Sequence, residues 1–193
     1  MTASRDQAKQ LIDAARYFNQ LGKDIQGMLS YVENHLLTRS PRLFPLKRGR
    51  VAGLTDAFTE PETWYPIVLG RVYGALRKEG DSETKLKEIY VIEIHIAPDG
   101  FADEPVVLLA KLLLTEPGNR NEVWNSWNNE GEWLGKALEP GAASVELDKE
   151  GAKEIWPNAE RVVAKVIPLF DIRKEEDILP KLVKPFLKLI EQK

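Results

Sequence analysis

The sequence predicts an α+β fold, a mainly antiparallel sheet flanked by a long N-terminal helix and C-terminal helices. A regular helical stripe fills the first 37 residues, three strand-like runs occupy the middle, and an amphipathic stripe closes the chain. The boundaries that follow are a helix over 1–38, a connector over 39–62, a sheet region over 63–172 and a helical segment over 173–193, all within one domain. A chain of 193 residues buries about 70% of the surface its unfolded form exposes, so neither a metal nor a disulfide is needed for stability.

In the first element, Leu11, Ala15, Phe18, Gly22, Ile25, Leu29, Val32 and Leu36 alternate at spacings of four and three, which places them on one stripe of a helix from about Ser4 to Leu37. The main expectation is a core helix lying across a sheet; a coiled-coil seam with a second chain is the alternative. Ala14, Leu21 and Met28 flank the stripe where a two-stranded coil usually carries charge.

Ser40-Pro41 and Phe44-Pro45 predict an irregular connector. The block "WYPIVLGRVYGALRK" stays undecided. Its β-branched and aromatic content favours strand, whereas Thr59, Pro61 and Glu62 match the start of a helix.

The strands are clearest next. In "IYVIEIHI" Tyr90, Ile92, Ile94 and Ile96 share one face and Glu93 and His95 the other. "PVVLLAKLLL" is apolar on both faces except at Lys111, and the short link between the two runs predicts an antiparallel hairpin of central strands, 88–97 and 104–115. "SVELDKEGAKEIWP" reads as a short strand, an N-cap at Asp148 and a brief helix ending before Pro157. The run "RVVAKVIPLF", 160–170, is a further strand, and Pro168 predicts that it is an edge or leaves the sheet there. Pro180 and Pro185 predict a break or kink in the last helical segment.

Composition removes several function classes. With no cysteine, thiolate catalysis, disulfide frameworks and zinc–thiolate sites are excluded. A net charge of −3 gives no general attraction to nucleic acid or anionic membrane. The N-terminus lacks the apolar core of a signal peptide and no apolar run approaches the roughly 20 residues of a membrane span, so no membrane partner and a cytoplasmic location are expected.

Three groups of residues remain as candidate sites. Glu93 and His95, two apart on one strand and so on one face, together with Asp99 have the makings of a general acid–base pair or a carboxylate–imidazole metal site; the bland reading is that the two mark a solvated strand face. With two histidines and no cysteine, no metal site is assigned, and the cofactor is unknown. The nuclease pattern of an acid-x-Lys triplet on the next strand fails, because that position reads Leu109-Ala110-Lys111. Arg39, Arg42, Lys47, Arg48 and Arg50 form a basic run suited to phosphate or carboxylate contacts, or equally to a solvated loop. Trp124, Trp127 and Trp133, with Asn128 among them, suit a stacking platform, although packing of Trp124 and Trp127 against the core is preferred. No Gly-rich nucleotide loop and no Gly-x-Ser-x-Gly elbow occurs.

The function expected first is therefore a cytoplasmic, non-enzymatic binding or protein-interaction module that self-associates through its first or last helix. A metal-dependent hydrolase or nuclease using Glu93, His95 and Asp99 comes second. Third is a nucleic-acid accessory protein using the basic segment 39–50.

Overall fold

The computed structural model describes residues 5–39, 43–52, 68–75, 85–96, 102–123, 138–139, 141–156 and 158–192. Its centre is a six-stranded antiparallel sheet in the order β1-β2-β3-β4-β6-β5. The strands are β1 (Leu43–Ala52), β2 (Val68–Ala75), β3 (Leu86–His95), β4 (Val106–Gly118), β5 (Ser144–Leu147) and β6 (Ala159–Pro168). The predicted hairpin is present, with His95 opposite Val106 and Glu88 opposite Leu113. Its strands are central and covered on both faces, as their apolar composition requires.

One face carries Tyr73, Tyr90, Ile92, Ile94, Val107 and Leu109. It is covered by α1 (Arg5–Arg39) and by the C-terminal helices α3 (Glu175–Ile178) and α4 (Lys184–Glu191). Phe186 of α4 meets the rings of Tyr73 and Tyr90 edge-on at 6.2 and 6.4 Å. The other face carries Ile89, Val91, Leu108, Ala110 and Leu112, and packs with Val123, Leu138, Trp156 and Ala152 of α2 (Lys149–Ile155). As predicted, Asp148 caps α2, its carboxylate accepting the N–H of Gly151 at 3.1 Å.

One expectation is corrected and two open alternatives are decided. The connector 39–62 contains strand β1. Pro45 is compatible with it because β1 is at the sheet's edge among the described residues and the register shifts between Pro45 and Lys47, a place where a missing N–H does not interrupt a ladder. The carbonyls of Pro45 and Leu46 instead accept hydrogen bonds from the Arg120 guanidinium at 2.9 and 2.8 Å, and the same guanidinium lies 5.6 Å from the Phe44 ring centre. The undecided block 63–78 contains a strand, β2. Its Gly74 allows close crossing of neighbours, since a Cβ there would stand 2.6 Å from Leu86 and 2.8 Å from Phe44. The Thr59–Glu62 signal lies outside the described residues.

Of the two outcomes that Pro168 allowed, the strand leaves the sheet there; β6 is not an edge, for β5 pairs with it over residues 162–165. The N–H of Val166 donates to Ala143 on the β5 side at 2.9 Å, and alternate residues along a strand point their N–H groups the same way. Pro168 therefore lacks its donor on the side β5 no longer reaches, and the chain turns off the sheet at Leu169–Asp171. In the last segment the two prolines produce a widened turn, Leu179–Val183, rather than a break. The N–H of Lys184 donates five residues back to Leu179, which relieves the clash that Pro185 would make in a regular α-helix.

The long helix is found as predicted, but only its second half serves the core. Ile25, Met28, Leu29, Val32 and Leu36 are buried, whereas every described side chain from Asp6 to Gln20 is exposed. Replacing Arg120 by Met should destabilise the protein by about 2 kcal/mol, since two carbonyls lose charged donors. Urea unfolding measures the loss, and amide exchange should quicken first in β1.

Candidate functional site

Glu93 and His95 stand side by side on β3, with Glu93 Oε2 3.0 Å from His95 Nε2. Their face is not solvated: they are 0% and 1% exposed, so the expectation of a wet strand face is overturned. The cause lies in distant sequence, because strands on either side bring Gly70 and Leu108 opposite Glu93, and Val106 opposite His95. A carboxylate and an imidazole in such a place stabilise one another by sharing a hydrogen bond that water cannot supply. Asp99, the third member of the expected set, lies outside the described residues, and Glu104, just before β4, is exposed. Among the described residues no group of three acidic or histidine side chains is placed to hold a metal ion.

The basic run is divided between elements. Arg39 ends α1 and is exposed, Arg42 lies outside the described residues, and Lys47, Arg48 and Arg50 belong to β1. Backbone register puts Arg50 opposite Gly70 and Gly70 opposite Glu93, so the basic run and the acid–imidazole pair meet on one row of the sheet, two strands apart. The register shifts between Pro45 and Lys47 and again between Lys47 and Arg50, a feature that discourages an edge strand from pairing with other chains. Trp124, Trp127, Trp133 and Asn128 lie outside the described residues.

A hollow that sequence reasoning did not single out lies beside α1. It is a groove of about 630 Å³ whose apolar lining includes Leu21, Met28 and Tyr31 on the helix and Phe170, Ile172 and Ile178 across from it. Lys23, Asp24, Arg173, Lys174 and Glu175 line it as well. Phe170 is 53% exposed, an unusual state for a large aromatic residue directly after a core strand. The groove continues the line of α1 on which Tyr17 stands, 57% exposed, with its ring 5.9 Å from that of Phe18. One signal for it was present in the sequence. Gln10, Ala14, Tyr17, Leu21, Asp24, Met28 and Tyr31 also alternate at spacings of four and three, a second seam beside the first.

If the Glu93–His95 pair is structural, losing either partner should cost about 3 kcal/mol or more, because the other stays buried without the hydrogen bond they share. Joint replacement by Glu93→Met and His95→Leu should recover most of that loss in urea unfolding. Additive losses would point to separate roles for the two residues.

No helix among the described residues is long and apolar enough to cross a membrane. Compared with known proteins, the chain matches no family model, no curated protein and no solved structure.

Proposed function

We propose that this chain is a non-enzymatic protein-interaction module of the cytoplasm that self-associates through α1. One observation carries the reading: half of a 35-residue helix packs on the sheet while the other half extends beyond it with Ile12 and Tyr17 52% and 57% exposed. Isolated apolar side chains at a surface need no explanation, but these continue along the helix into a groove of mixed apolar and charged lining that includes Phe170. Elements that exist only to close a core end where the core ends. This helix runs on for about four turns.

Supporting facts come from elsewhere in the chain. The absence of cysteine suits a reducing compartment. Glu93 and His95 are tied to one another in a dry position, which favours a structural use over acid–base chemistry on a substrate. Strand β1 lies at the edge of the described sheet with a shifted register, which discourages that edge from pairing.

Static light scattering at micromolar concentration should return twice the 21.9 kDa chain mass. Tyr17→Glu should weaken association at least tenfold and leave the circular dichroism spectrum unchanged, since Tyr17 takes no part in the core. A wild-type chain that stays monomeric throughout that range defeats the proposal.

A further inference from the structure

Resting on that self-association, we infer its geometry: two copies pair their α1 helices antiparallel about a twofold axis at Leu21, so that the projecting half of each lies in the other's groove. The seam itself suggests this arrangement. Gln10, Ala14 and Tyr17 precede Leu21 on the projecting half, and Asp24, Met28 and Tyr31 follow it along the groove. A twofold axis at Leu21 exchanges these two sets. It sets Leu21 against its own counterpart, Tyr17 against Asp24, Ala14 against Met28 and Gln10 against Tyr31.

Each match is chemically sound. The small Ala14 meets the large Met28 that forms part of the groove. The Tyr17 hydroxyl is a donor for the Asp24 carboxylate, which Gln20 already holds at 2.8 Å. Gln10 and the Tyr31 hydroxyl are both donor and acceptor. Asp24 is the one charged residue in the seam; Asp6, Lys9, Asp13, Arg16 and Lys23 lie outside it. That distribution favours a second copy of this chain as the occupant. The groove carries Lys23, Arg173, Lys174 and Glu175 beside Asp24, and the projecting half carries Asp6, Lys9, Asp13 and Arg16, so both surfaces bring charges of both signs and neither presents a single-sign patch to its copy. Gly27, which lines the groove, has open space where a side chain would stand, so a neighbouring backbone can come close.

Area is sufficient as well. The seam from Gln10 to Tyr31 is about 33 Å long. Tyr17 and Phe170 alone leave on the order of 200 Å² of aromatic surface wet in each copy. Together with the flanking seam residues and the groove, this approaches the roughly 800 Å² per partner of a stable interface.

The cysteine-free chain allows a direct test by single-cysteine crosslinking under mild oxidation. Leu21→Cys should form a disulfide-linked dimer, since the axis brings the two copies of that position together. Ala14→Cys should not, because its two copies stand about 21 Å apart along the seam, beyond the roughly 7 Å Cα separation that a disulfide spans. An equimolar mixture of Tyr17→Cys and Asp24→Cys chains should crosslink, each alone far less; this arm holds even if loss of the Leu21 side chain weakens the dimer. Light scattering on the wild-type chain separates the two proposals. A monomer removes the self-association reading itself. A dimer in which Ala14→Cys crosslinks as well as Leu21→Cys has parallel helices, and a dimer in which no arm crosslinks uses another surface; either result overturns the inferred geometry.

Discussion

Burial of β3 and β4 on both faces is the constraint from which the rest of this structure follows. From Ile89 to His95 and from Val106 to Leu112 the two strands have no exposed side chain. Such a pair has no wet face to turn outward, so the chain must supply cover twice. One cover is the C-terminal half of α1 with α3 and α4; α2, Trp156, Val123 and Leu138 contribute to the other. Every polar side chain on these strands must then find its partner inside the protein. Glu93 and His95 find each other. Lys111 reaches past the Tyr90 ring, 5.6 Å from its centre, to donate to the carbonyl of Gln192 at the end of α4.

The same economy explains how outlying elements are attached. Lys111 fixes the C-terminal end of α4, where a cation also opposes the negative end of the helix dipole. Glu33 fixes α1 across β2, with its carboxylate 3.5 Å from both the Tyr73 hydroxyl and the Arg71 Nε. Burial, reinforced by the Glu33 charge, pushes the Tyr73 phenol well above the usual tyrosine range, so it remains a donor at any physiological pH. Arg120 fixes β1 at the carbonyls its bulge releases. Each contact joins a peripheral element to a central one through a directional bond. Apolar packing alone would permit sliding; these bonds set position along the sheet.

Legibility in the sequence followed the range of the interactions. The β3–β4 hairpin, the Asp148 cap and the helix end before Pro157 depend on residues within a few positions of one another, and all three are present where expected. Strand β1 was obscured because Pro45 normally speaks against a strand, and only an edge position with a bulge and a distant Arg120 makes it acceptable. The face of Glu93 and His95 was misjudged for a similar reason. Two polar residues at alternate positions carry the same local pattern whether water or a second layer lies above them, and that layer comes from elsewhere in the chain. The groove wall at Phe170 and Ile172 is likewise invisible locally, since its meaning depends on α1 passing 140 residues away in sequence.

Helix α1 shows how one period can serve two surroundings. Its projecting half would be marginal alone, for an isolated helix of only about four turns is close to the length below which helices are weakly stable in water. Exposed pairs such as Arg16–Asp13 at 3.5 Å add little to this. Gly22 and Gly27 each weaken the helix by about 1 kcal/mol relative to Ala. The half that is fixed by Ile25, Leu29, Val32, Leu36 and Glu33 supplies the nucleus from which the rest propagates, so the projecting half is preorganised without taking part in the core. Preorganisation lowers the ordering entropy that an association must overcome. A segment of this kind is well suited to meeting a partner, because the core has already borne most of the cost of making it a helix.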